Sequence, residues 1–187
     1  MSLPEYDLHI LNSINHNRIK SLDLVFIGIT DSAYLVALMI PLLLLLYALF
    51  KSKPLLKKKA LQMLASLAFN TLVITLLKYT INRQRPFELD STIEKLTGGG
   101  SPSFPSGHTS DAFLIATCMV LLFGGQRWSL VLVWIWAVAV AYSRIVLGVH
   151  FPSDVIAAML IGALNALAVH FFLLKKRTKQ QTNVGTI

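Results

Sequence analysis

Two histidines, four basic residues and one carboxylate fall within three short segments, Lys78 to Pro86, Pro105 to His108 and Ser143 to Asp154. Each segment lies where an apolar run meets polar sequence. A cationic pocket with two imidazoles suits phosphoryl transfer. Arg and Lys side chains neutralise the non-bridging oxygens, one imidazole attacks phosphorus, and the other protonates the leaving oxygen. Ionisable residues at membrane depth are costly, so their clustering is itself a functional signal.

Lys78 and Arg85 are seven residues apart, two helical turns, and are expected to share a helix face. Pro86 is expected to end that helix at or near Arg85. Arg85 offers a planar fork and Lys78 a point charge to a phosphate, although both could equally snorkel from the end of a span. Arg83 points elsewhere on such a helix and reads as a surface charge. Pro105-Ser106-Gly107-His108 precedes an apolar run and reads as a helix start. Its free N–H groups and dipole favour an anion, and Gly107 lets the backbone approach closely. Ser106 is the expected N-cap. His108, in the first turn, is placed as the proton donor. In the third segment Arg144 ends an apolar run, His150 follows, and Pro152 fits the first position of a new helix. Asp154 then lies in the first turn, able to accept a ring N–H of His150 and leave the other nitrogen free to attack. A simpler reading makes Asp154 a helix-start acid. Ligation of a metal by His108, His150 and Asp154 is disfavoured by the nearby cations, and no cofactor is expected.

The elements that must position these groups are membrane spans. The 187 residues are 55% hydrophobic and only 14% charged, with a mean hydropathy of +0.63. Ala33–Phe50, Ala60–Leu77 and Val155–Leu174 approach the ~20 residues that cross a bilayer. Ala112–Phe123 and Leu130–Tyr142 reach that length once their polar ends are included. The expectation is an all-α, integral-membrane bundle of five spans in a single domain. The alternative is a kinked sixth span drawing on Ile19 to Ile29. Apolar Leu8, Ile10, Leu11, Ile14 and Ile19 among polar neighbours suggest an interfacial helix from about Glu5 to Ile19, within an N-terminal region covering residues 1–30. No cleaved signal peptide is expected.

The net charge of +8 resembles a nucleic-acid signal only until its distribution is read. Lys51, Lys53, Lys57, Lys58 and Lys59 fill one loop, Arg127 another, and Lys175, Lys176, Arg177 and Lys179 follow the last span, with no acid among them. Alternating spans put all three on one side, the positive-inside pattern, with the tail 175–187 cytoplasmic. The three chemical segments then meet on the opposite face. No aromatic-studded basic surface supports nucleic-acid binding. Gly124-Gly125-Gln126-Arg127 reads as an inner turn. Phe87–Phe104, with Gly98-Gly99-Gly100, reads as a mobile loop, either a plain connector or a contact for a head group. Cys118, alone in an apolar run, reads as a packing residue.

Together, Lys-x6-Arg-Pro, Pro-Ser-Gly-His and Ser-Arg-x5-His-x3-Asp resemble the three-part signature of the type 2 phosphatidic acid phosphatase superfamily, matched at Lys78, Arg85, Pro86, Pro105 to His108, Ser143, Arg144, His150 and Asp154. The resemblance implies a metal-independent membrane lipid phosphatase with His150 as nucleophile, His108 as acid and Asp154 as orienter. Lys78, Arg85, Ser106, Gly107 and Arg144 would bind the phosphate. It implies a substrate such as phosphatidylglycerol phosphate, phosphatidic acid, undecaprenyl diphosphate or lipid A, and a site facing outward from a bacterial inner membrane. Lipid phosphotransfer and non-catalytic binding of anionic lipid are the rival readings. Haloperoxidases that share the signature are soluble, which the apolar spans argue against.

Overall fold

In hydrocarbon a backbone has no water to bond, so apolar runs must satisfy their N–H and C=O groups internally, as helices. The computed structural model describes residues 3–124 and 127–184, with side chains for 4–124 and 130–175. Most of that length is helical: α1 (Leu3–His16), a short turn at Lys20–Leu22, α2 (Asp23–Phe50), α3 (Pro54–Ile81), α4 (Pro86–Leu89), α5 (Gly107–Phe123), α6 (Arg127–Val146) and α7 (Pro152–Val184). Stretches 20–50, 54–89 and 152–175 are long and apolar enough to cross a membrane, and α5 and α6 are shorter apolar helices. Gly125 and Gln126 of the expected inner turn lie outside the described residues, as do the last three residues of the tail and the side chains of Lys176, Arg177 and Lys179.

Two boundaries differ from expectation. Residues 23–29 continue directly into α2, so they extend the first span and form no separate sixth one. Helix α3 stops at Ile81, four residues before Arg85. Asn82 adopts the left-handed conformation (φ 48°, ψ 44°), and its N–H donates to the Lys78 carbonyl. Asn tolerates that conformation and closes the helix before Pro86 acts. Pro86 instead opens α4, with Arg85 at its N-cap.

Helix α5 is the centre of the bundle. It packs against α7, α6, α3 and α2, and every residue from Ala112 to Cys118 is buried. Its approach to α7 is very close: a Cβ at Gly162 would lie 2.2 Å from the Ser110 carbonyl oxygen. Small residues permit such contact where no hydrophobic driving force separates lipid from protein. Polar side chains within the bundle pair across helices. The Asn70 amide donates to Asp111 (2.7 Å), while its oxygen accepts from Ser110 (2.9 Å) and Asn165 (2.8 Å), which joins α3, α5 and α7. Cys118 is buried among Leu114, Ile115 and Met63.

Helix α1 lies against the site end of the bundle and contacts the first half of the 87–104 segment. Buried Asn15 donates to the carbonyls of Val146 (2.9 Å) and Glu94 (3.1 Å) and accepts from the Glu94 N–H (2.9 Å). Asn12 donates to Asp90 at 2.9 Å, and the Leu96 N–H reaches the Leu147 carbonyl. These contacts from α1 and the α6–α7 turn hold the segment at Asp90, Glu94 and Leu96.

Candidate active site

The three segments meet at one end of the bundle, around a cavity of about 300 Å³. Lys78 comes from the last turn of α3, His108 from the first turn of α5, and Arg144 from the last turn of α6. His150 lies in the α6–α7 turn. All four line the cavity with Arg85 and Gly107, and with the backbone of Gly98 to Ser101 overhead. Ser106 and Asp154 stand behind this wall, fully buried.

Each cation is held from behind. Arg85 is 4% exposed; its Nε donates to the Ser101 carbonyl (2.8 Å) and one Nη to the Val149 carbonyl (2.6 Å). Lys78 Nζ donates to the Pro102 carbonyl at 2.6 Å. Arg144 is buried, donates to Thr30 Oγ1, and its Nε has no partner among the described residues. Lys78 and Arg85 therefore converge without sharing a helix face, because the chain turns at Asn82 between them. Carbonyl oxygens carry no full charge, so the site keeps an excess of positive charge for an anion.

His150 is 1% exposed. Its Nδ1 faces Asp154 Oδ2 and Ser103 Oγ, each at 3.5 Å. Its Nε2 lies 3.4 Å from an Arg85 nitrogen, on the cavity side. Burial pushes the imidazole down to about 3; Asp154 opposes the shift, and Arg144 and Arg85 add to it. A neutral ring with Nδ1–H directed at a carboxylate leaves the Nε2 lone pair for attack. Asp154 is itself fixed: its Oδ2 accepts from Ser103 Oγ and from the Phe151 N–H (3.1 Å).

Ser106 occupies the N-cap position of α5 but makes no side-chain cap bond. Its hydroxyl lies 3.0 Å from Thr109 Oγ1. The capping role expected of it is absent, which leaves the first-turn N–H groups without a side-chain acceptor beside the cavity. A Cβ at Gly107 would lie 2.8 Å from the Tyr34 hydroxyl, so the end of that ring would have to shift to admit one. The Tyr34 ring rests on His108, centroids 4.0 Å apart.

Arg83 is the clearest correction. It is no free surface charge: its guanidinium donates to Asp154 Oδ1 at 2.6 Å, to Ser153 Oγ at 2.7 Å and to Asp7 Oδ2 at 2.7 Å. The early end of α3 swings it toward the start of α7. Also unforeseen were Asp31 and Tyr34 of α2 in the cavity wall, Thr30 beneath Arg144, and Ser103 between His150 and Asp154. None belongs to a motif. Among the described residues, no three His, Cys, Asp or Glu side chains cluster as metal ligands.

Fold and cavity together define a membrane-embedded helical protein with an anion site suited to phosphoryl groups. Residues 59–178 match the PAP2 superfamily, and the chain belongs to it. A lipid A 4'-phosphatase of Bacteroides thetaiotaomicron is 29% identical over 57% of this chain, which spans only half of that relative's length. An undecaprenyl-diphosphatase of Sulfolobus acidocaldarius is 31% identical over 84% of the chain and 74% of its own. A crystal structure described as a PAP2-type phosphatidylglycerolphosphate phosphatase from Bacillus subtilis superposes with a TM-score of 0.71, 28% identity, and coverage of 92% and 87%.

Proposed function

We propose that the protein is a lipid phosphate phosphatase that works through a phosphohistidine. The observation that carries this reading is the convergence of Lys78, Arg85, Arg144, His108 and a buried His150 on one cavity. His150 Nε2 attacks phosphorus in line, forming the N–P bond as the bond to the lipid oxygen breaks. His108 gives that oxygen its proton. Neutral again as a base, His108 then takes a proton from water, whose oxygen attacks phosphorus, breaks the N–P bond and releases inorganic phosphate. Lys78, Arg85, Arg144 and the first-turn N–H groups at Gly107 hold the equatorial oxygens, where charge shifts in the transition state. Protein cations fill the place a metal would take, so no metal is required.

The substrate is a phosphorylated membrane lipid, monoester or diphosphate. Relatives named for lipid A, undecaprenyl diphosphate and phosphatidylglycerol phosphate support that class, and phosphatidic acid belongs to it chemically. A cavity of about 300 Å³ suits a phosphate with a small part of its head group, which favours a prenyl diphosphate or a glycerophospholipid phosphate over a large saccharide. The basic loops on one side and the site on the other favour a bacterial inner membrane with the cavity facing outward.

The test is phosphate release by detergent-purified protein in EDTA, across phosphatidylglycerol phosphate, phosphatidic acid, undecaprenyl diphosphate and lipid A, beside a folded His150→Ala variant. Release that disappears in the variant is expected. Equal turnover by the variant removes His150 from the mechanism. Folded wild type inert toward every lipid overturns hydrolysis in favour of phosphotransfer or binding.

A further inference from the structure

The Asp154 carboxylate divides its work between two oxygens. Oδ2 faces His150 Nδ1 and takes the Ser103 hydroxyl and Phe151 N–H; Oδ1 takes one nitrogen of Arg83 at 2.6 Å. Arg83 is fixed in turn. Its other terminal nitrogen meets Asp7 Oδ2 at 2.7 Å, and its guanidinium lies over the Phe151 ring, 4.0 Å from the centroid. Asp7 is 5% exposed. It reaches from α1 to the first turn of α7, accepting from the Ser153 N–H at 2.9 Å and from the Ser153 hydroxyl. One guanidinium thus bridges two buried carboxylates, one on the terminal helix and one behind the nucleophile.

We propose that Arg83 and Asp7 are positioning residues for phosphoryl transfer, acting through Asp154 on the orientation and tautomer of His150. Without Arg83 the Asp154 carboxylate can rotate, exchanging the oxygen that faces Nδ1. Two buried carboxylates would also lose their shared cation, which favours protonation of one of them. A protonated or rotated Asp154 no longer accepts from Nδ1–H, and Nε2 loses its lone pair or its aim. Neither Arg83 nor Asp7 lines the phosphate cavity, so substrate affinity should be spared. The N-terminal helix is on this account part of the catalytic scaffold. The proposal rests on His150 being the nucleophile.

The experiment compares wild type with Arg83→Gln, Arg83→Lys, Asp7→Asn and the Arg83→Gln/Asp7→Asn double variant, each checked for folding in detergent. A misplacement of the nucleophile of about 1 Å can cost ~100-fold, so Arg83→Gln should lower kcat about that much with KM nearly unchanged. Arg83→Lys, a point charge that satisfies one carboxylate, should recover part of it. Asp7→Asn should cost roughly 10-fold, the low end of the loss seen when the partners that orient metal-bound side chains are removed. The double variant should be no slower than Arg83→Gln, because both act through one bridge. Asp7→Asn, isosteric and on a separate helix, carries the test if Arg83→Gln does not fold. A raised KM with unchanged kcat would make Arg83 a phosphate ligand and overturn the proposal, as would unaltered kinetics or multiplying losses. Ring ¹⁵N spectra of the histidines provide a readout independent of turnover. The His150 signals should shift toward the other tautomer or the protonated ring in Arg83→Gln, and unchanged signals refute positioning. If wild type hydrolyses no lipid, the proposed function fails while these spectra still decide the role of Arg83.

Discussion

Gly162→Ala tests whether the closeness of α5 and α7 sets the geometry of the site. The new Cβ would lie 2.2 Å from the Ser110 carbonyl oxygen, 3.0 Å from its carbon and 3.1 Å from the Leu114 nitrogen. All three are backbone atoms, so no side chain can move aside. Ordinary packing contact requires the helices to part by roughly 1 Å, and a close-packed interior offers no slack for this. Overpacking of this kind costs about 1–3 kcal/mol. The strain falls on a sensitive place: Ser110 is two residues past His108, and α7 carries Asp154 at its start. On the proposed mechanism, a 1 Å separation of His108 from His150 should lower kcat by about 100-fold. Thermal unfolding followed by tryptophan fluorescence, with steady-state phosphate release well below the transition, measures both effects. Gly28→Ala is the control, since a Cβ there meets nothing within 4 Å; helix propensity predicts a gain of up to about 1 kcal/mol. A Gly162→Ala protein with wild-type Tm and kcat would refute the argument. A lowered Tm with undiminished kcat would confine the contact to stability.

Arg144→Ala should reduce kcat/KM by about 10²–10³, the loss typical of one transition-state donor. Unaltered kinetics would show that its buried charge serves only Thr30. The His150 imidazole, ordinarily near 6.5, is held down to about 3, so the folded protein binds fewer protons there than the unfolded chain. Its contribution to stability is full above 6.5 and falls by about 1.4 kcal/mol per pH unit as acid is added toward pH 3. The difference in Tm between wild type and His150→Gln, followed from pH 7 to 4, should therefore move against wild type; a constant difference refutes a neutral buried ring.

The spans were legible because five runs lack charge, and the cationic cradle was legible because its residues keep fixed spacings at the ends of those runs. What escaped notice follows from contacts that spacing does not encode. A helix carried through to Pro86 turns Arg83 outward; the left-handed Asn82 turns it inward. Its partner Asp7 stands far upstream in the sequence, on a helix whose apolar residues suggested only a surface role. Asn70 and Asn165 interrupt apolar runs and Ser110 and Asp111 precede another, with no sequence spacing to link them, yet in the bundle they satisfy one another. Tyr34 and Thr30 belong to the most lipid-like run of the chain. A polar residue there without a sequence partner was the available sign that a distant partner exists.

Lys78, His108 and Arg144 all sit on terminal turns of their helices, and α2 brings Tyr34 to the same level. A lipid can therefore present its head group while its tails stay among their neighbours, with no work of extraction into water. The concentration the site responds to is then two-dimensional. On the proposed function, its rate should saturate with the mole fraction of substrate in the bilayer or micelle, and diluting the surface with inert amphiphile should slow turnover at fixed molarity.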